Sequence, residues 1–238
     1  MSDTLLAPTD PALPDATAAP RVEGPPRTTK RAVQPKNAAT VILWRGRPEA
    51  PEILMGLRSA RHRFMPHRLV FPGGRVDRAD HTAKAASELR PVVQEMLARK
   101  ATPGLARALA VAAVRELFEE TGLRLGPAGP KGGVLPDLAK LDYLCRAVTP
   151  PSRSIRFNAR FLIAPAEAAE GEIAGSGELE TLRFFGIEEA LASQAAPITA
   201  MVLNEFREWL ALPPARRDHR QLIAYRGMDQ RLPEAGEG

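Results

Sequence analysis

The stretch Arg115-Glu116-Leu117-Phe118-Glu119-Glu120-Thr121-Gly122-Leu123 constrains this chain more than any other. In a helix, Glu116, Glu119 and Glu120 project within an arc of about 100°, while Val111, Val114, Leu117 and Phe118 lie largely on the other side. One face packs, and the other gathers three carboxylates. Gly122 can end the helix in a left-handed conformation. Carboxylates this close repel one another unless a cation sits among them. Hard oxygen ligands at this density suit Mg²⁺ or Mn²⁺. The plain alternative is a solvated helix face, which a lone Glu-Glu pair would favour. Upstream, however, stands Val70-Phe71-Pro72-Gly73-Gly74-Arg75-Val76-Asp77. The Gly-Gly turn, the Arg-Glu start and the Gly stop together point to a metal site.

Around this helix the chain alternates strand-like and helix-like segments. Ala39–Trp44, Glu52–Arg58, Leu69–Phe71, Leu141–Thr149, Asn158–Pro165 and Glu180–Phe185 read as strands. Helices are expected from about Pro91 to Lys100, Leu105 to Thr121, Ile187 to Ala195 and Ile198 to Leu210. Residues 1 to about 36 hold seven of the 23 prolines and read as a disordered tail. A domain over 37–212 follows, and the stretch 213–238 reads as a polar, basic tail with a weak apolar patch at Leu222-Ile223. Mixed strands with interleaved helices predict an α/β sandwich.

The motif residues resemble the Nudix box. Arg-Glu-apolar-x-Glu-Glu-x-Gly-apolar is similar to its second half, and Phe71-Pro72-Gly73-Gly74 to the turn before it. The family's pattern runs Gly, five residues, Glu, seven residues, then the Arg-Glu core. Here the span from Gly74 to Arg115 is 115 − 74 = 41 positions where the pattern has 14, so 41 − 14 = 27 residues are inserted. Counting back eight from Arg115 places Arg107 at the family's first Glu. The interruption resembles a Nudix subgroup that includes a CoA diphosphatase. Leu54-Met55-Gly56-Leu57-Arg58-Ser59 is similar to the start of a CoA-cleaving signature, but His62, His67 and Arg68 replace its apolar residue, Gly and Glu.

The resemblance implies a Nudix-like α/β/α sandwich with a mixed sheet and a helical insertion, about 80–103, before the catalytic helix. Lying between the turn and that helix, the insertion is expected to form a flap at the pocket mouth. The activity implied is metal-dependent cleavage of the diphosphate linkage in a nucleoside diphosphate derivative, with CoA or acyl-CoA favoured. Metal would be held by Glu116, Glu119, Glu120 and a distant-loop acid, Glu178 ahead of Glu180. Glu116 is also a candidate base, and Arg115 would orient the carboxylates. Arg58, Arg63, Arg68, Gly73 and Gly74 are the expected substrate contacts. Two other readings are a non-catalytic Nudix-fold binding module, which the missing first Glu favours, and an enzyme that trims RNA 5′ ends.

Charge and composition narrow these choices. A net charge of +5 and a pI near 9.8 suit an anionic substrate. Aromatics at 5% and scattered arginines argue against a base-stacking nucleic-acid surface. The partner expected is a small nucleotide-derived substrate, with a homodimer possible. Cys145, the sole cysteine, excludes an intramolecular disulfide and reads as a packed hydrophobe. No apolar run reaches membrane-spanning length, and no targeting helix is legible at the N-terminus, so a cytoplasmic location is expected.

Overall fold

Why the two faces of the sheet are both buried is written in its central strands. The computed structural model describes residues 33–59, 67–193, 195–227 and 230–234. In β1 (Lys36–Arg47), Val41 and Leu43 face one apolar cluster while Ile42 faces another. The same alternation places Leu54 opposite Ile53 and Met55 in β2 (Ala50–Arg58). It also places Leu162 and Ala164 opposite Phe161 and Ile163 in β6 (Phe157–Pro165). Continuous apolar runs of this kind need a layer of helices on each side.

Those layers are present. Helices α1 (Pro91–Ala98) and α2 (Pro103–Thr121) cover one face, while α3 (Ile187–Ala192) and α4 (Pro197–Ala211) cover the other. Between them, among the described residues, lies a sheet ordered β3-β2-β1-β6-β5-β8-β9. Its further strands are β3 (Leu69–Val70), β5 (Asp142–Val148), β8 (Ile223–Arg226) and β9 (Gln230–Pro233). Two strands lie off this path: β4 (Gly73–Arg75) pairs with β1, and β7 (Leu179–Gly186) with β2. β1 runs parallel to β6 and antiparallel to β2, so the sheet is mixed. The expected α/β/α sandwich is the observed fold.

Three expectations change. The stretch after Pro213 is more than a polar tail. It forms a short helix α5 (Pro214–Arg217), and β8 pairs in parallel with β5. Leu222, Ile223, Ala224 and Tyr225 are buried there, and Glu234 is locked by Arg146 and by the Tyr143 hydroxyl, which donates at 2.8 Å. Second, the insertion is a brace and not a flap. Leu89, Val93, Met96 and Leu97 join the core against α2, and no residue of 80–103 lines the main pocket. Third, α2 starts at Pro103, because Thr102 accepts the Leu105 amide at 3.3 Å and proline suits the first turn.

The expected disordered tail falls, up to residue 32, outside the described residues. Cys145 is buried, as a packed hydrophobe should be, and burial pushes its thiol pKa up. No helix among the described residues is long and apolar enough to cross a membrane.

Candidate active site

Helix α2 presents its carboxylates where β4 crosses its C-terminal half. The helix ends at Gly122, which adopts φ 76° and donates its amide to the Phe118 carbonyl at 2.8 Å. The Gly73 amide donates to Glu120 Oε2 at 2.8 Å. At Gly74 a Cβ would lie 2.3 Å from the Glu116 carboxyl carbon, so only glycine lets backbone and carboxylate approach so closely. The Gly-Gly turn is therefore shaped by the glutamates it faces.

Arg115 ties this region together. Its Nε and Nη2 donate to Asp80 Oδ1 and Oδ2 at 2.9 and 3.0 Å. Nη1 donates to Glu116 at 2.8 Å and to Glu119 at 3.0 Å, and Nη2 also reaches the Arg75 carbonyl at 2.9 Å. Burial works against the Arg115 charge, but the Asp80 hydrogen bonds and the Glu116 and Asp80 charges more than offset it, so its pKa is raised. Arg115 thus contacts two of the three helix glutamates, and Asp80 is an anchor for it that sequence reasoning missed.

Asp80 also corrects the reading of the interrupted motif. Counting back from Arg115 reaches Arg107, yet Arg107 faces away, donating to Glu88 at 2.8 and 2.9 Å and to the Ala83 carbonyl. Counting forward from Gly74 across five residues reaches Asp80, since 80 − 74 = 6. An acid thus stands at the first-Glu position, and the extra residues follow it. Asp80 is 1% exposed, and it accepts the Asp77 amide at 2.7 Å besides holding Arg115.

The glutamates share one pocket of about 1110 Å³ with Arg58, Arg68, Gly73, Gly74 and Glu178. Glu180 does not line it. Arg63, with Arg61, His62, Phe64 and Met65, lies outside the described residues. Burial pushes the Glu120 pKa up to about 8; the Gly73 amide and Arg58 oppose this, while Glu116 and Glu178 add to it. Glu116 is raised for the same first reason, with Arg115 opposing and Glu119 and Glu178 contributing. The Arg58 Nε is buried with no hydrogen-bond partner among the described residues.

Among the described residues no three His, Cys, Asp or Glu side chains converge closely enough to hold a metal ion as they stand. Arg115 draws Glu116 and Glu119 toward itself, and Gly73 holds Glu120. The donor chemistry nevertheless fits a hard divalent cation. Carboxylates from α2 and from Glu178, just before β7, face one pocket, and burial first, with mutual repulsion adding to it, raises the Glu116 and Glu120 pKa values, a cost that such a cation would relieve.

The chain has the Nudix fold: it is similar to the crystal structure of a NUDIX hydrolase from Alicyclobacillus acidocaldarius, with TM-score 0.53 and 23% identity, over 72% of this chain and 90% of that one. A MutT NUDIX hydrolase from Burkholderia pseudomallei is similar at TM-score 0.46 and 20% identity, over 73% of this chain and 98% of that one. Among curated proteins, putative nudix hydrolase 7 of Caenorhabditis elegans is 36% identical over 88 residues, 37% of this chain and 22% of the relative. The aligned stretch thus spans about a fifth of that relative's length. No protein-family model matches the chain.

Proposed function

We propose that this chain is a metal-dependent hydrolase that cleaves the diphosphate linkage of a nucleoside diphosphate derivative, with CoA or acyl-CoA the favoured substrate. The observation that carries the reading is the gathering of Glu116, Glu119, Glu120 and Glu178 with the Gly73-Gly74 backbone in one pocket. Bound Mg²⁺ or Mn²⁺ would neutralise phosphate charge and activate water there. Glu120 and Glu116 are the first choices as ligands, then Glu119 and Glu178, and Glu116 is also assigned as proton acceptor. Arg115 positions Glu116 and Glu119, while Arg58 and Arg68 bring positive charge to the phosphates.

Two observations support the CoA preference. His67, where the CoA signature has glycine, adopts φ 55°, the left-handed conformation that glycine favours. The replacement therefore keeps the backbone form that the signature's glycine allows. The pocket also continues past the carboxylates along Val70, Phe71, Phe161 and Ile198, an apolar wall suited to a long, partly apolar leaving portion.

The competing readings lose their main supports. The binding-module argument rested on a missing first acid, and Asp80 occupies that position. The RNA-end reading needs exposed aromatics beside the site, and the exposed large hydrophobics among the described residues are Val33, Ile173 and Leu232. We take the protein to act in the cytoplasm on a small molecule, with a homodimer as the assembly to examine.

The test is hydrolysis of CoA, acyl-CoA, ADP-ribose and NADH with Mg²⁺ or Mn²⁺, products identified by mass. Glu116→Gln and Glu120→Gln should each lose at least about a hundredfold in turnover while remaining folded. ADP-ribose or NADH outpacing CoA by about tenfold in kcat/KM, some 1.4 kcal/mol of transition-state preference, sinks the CoA assignment. Cleavage of none of them sinks the diphosphatase.

A further inference from the structure

We propose that Tyr225 is a specificity-determining residue for the apolar leaving portion of the substrate, and that Glu205 of α4 and Arg231 of β9 are positioning residues that hold its ring at the pocket wall. The nature of the ligand rests on the diphosphatase reading.

The sheet register places Tyr225 between Ala147 of β5 and Arg231 of β9. Its side chain joins Ala147, Phe71 and Phe161 in the apolar cluster on the α4 face of the sheet. All four residues line the pocket that holds the glutamates. Aromatic rings are sparse in this chain, with eight phenylalanines and two tyrosines, yet Phe71, Phe157, Phe161 and Tyr225 line this one cavity. The Tyr225 hydroxyl donates to Glu205 Oε2 at 2.8 Å. With the hydroxyl engaged, the ring is what Tyr225 offers the cavity. Apolar surface of this kind favours a thioether or acyl chain over phosphate or sugar.

Glu205 is the unusual partner. It is 6% exposed, on a helix whose other buried residues include Val202, Phe206 and Trp209. A carboxylate buried there is costly unless its oxygens are met. Both are met: Arg231 Nε donates to the same Oε2 at 3.0 Å, and its Nη2 to Oε1 at 3.3 Å. Glu208 braces that guanidinium from outside, accepting from Nη2 at 2.6 Å. A leucine would fill the same space without the desolvation cost, so the pair is a poor source of stability. What the carboxylate adds is direction. Packing alone lets a ring tilt, whereas a hydrogen bond at 2.8 Å fixes where its far end lies. Ile198, Met201 and Glu205 follow one another along α4 at spacings of three and four residues, and Ile198 lines the pocket. The tether therefore sets the Tyr225 ring against the same helix face that forms part of the pocket wall.

The experiment is steady-state kinetics with Mg²⁺ on octanoyl-CoA and on ADP-ribose, whose leaving portion is polar, with Tm recorded for each variant. Glu205→Leu should stay folded and raise KM for octanoyl-CoA about fivefold more than for ADP-ribose, the scale of one hydrogen bond, with kcat within about twofold. Glu205→Gln keeps an acceptor for the Tyr225 hydroxyl and should move that KM ratio by less than about twofold. Tyr225→Phe keeps the ring and loses the tether, so it should follow Glu205→Leu, and it decides the matter if that variant fails to fold. A KM ratio unmoved in the folded variants that lack the tether, or KM rising alike for both substrates, overturns the proposal. Cleavage of neither substrate by the unaltered chain removes the diphosphatase reading instead. Calorimetric affinities of the same two compounds then supply the ratio, with the same expected and overturning results.

Discussion

Asp80 and Arg115, 35 residues apart, meet through two parallel hydrogen bonds in which Nε and Nη2 of the guanidinium donate to the two carboxylate oxygens at 2.9 and 3.0 Å. The carboxylate is almost wholly buried against Arg115, and Arg115 in turn contacts Glu116 and Glu119. Asp80→Asn should cost about 3 kcal/mol of stability, since removing one member of a buried pair strands the other. Its turnover should fall with the loss of carboxylate positioning. Arg107→Ala breaks a pair whose Glu88 side is 63% exposed and should cost less than about 1 kcal/mol with turnover unchanged. Urea unfolding and steady-state kinetics on the two variants give the comparison. The reverse ranking would restore Arg107 as the motif residue.

Glu120 should make the metal-free protein less stable as pH rises. Its folded-state pKa is lifted to about 8 from an ordinary 4.5, chiefly by burial. Both states are protonated below 4.5, so the penalty is absent there. It grows between 4.5 and 8, where the unfolded chain sheds the proton first, and is complete above 8. In metal-free buffer Glu120→Gln should therefore raise Tm at pH 8.5 and change it little at pH 4.5. Thermal unfolding across that range, with chelator present, measures the difference. A Tm gain independent of pH would trace the effect to packing instead.

Thr181 carries strain that glycine would release. Between the pairs Met55–Arg183 and Leu57–Glu180, Thr181 and Leu182 together oppose Gly56, which makes a bulge in β7. Thr181 adopts φ 51°, a conformation that β-branched residues resist. Thr181→Gly should stabilise the fold by about 0.5–1 kcal/mol, the left-handed strain exceeding the added chain entropy. Chemical denaturation checks this. Because neither Thr181 nor Leu182 lines the pocket, turnover at saturating metal should stay within about twofold.

Local physics made the centre of this protein legible from its sequence. The 3.6-residue period sorts Glu116, Glu119 and Glu120 from Leu117 and Val114, and Gly122 stops the helix, because those effects act within a turn or two of chain. The apolar runs likewise announced strands, such as Ala39–Trp44. What needed the tertiary structure was everything set by partners far along the chain. Asp80 acquires its meaning only when Arg115 folds back onto it, and counting from one end of an interrupted motif pointed to Arg107 instead. The four residues of β8 have too little periodicity to announce a strand; register against β5 makes them one. The insertion looked like a flap until Val93, Met96 and Leu97 were seen packed in the core, since the pattern of a short amphipathic helix names its apolar face but not the surface that buries it.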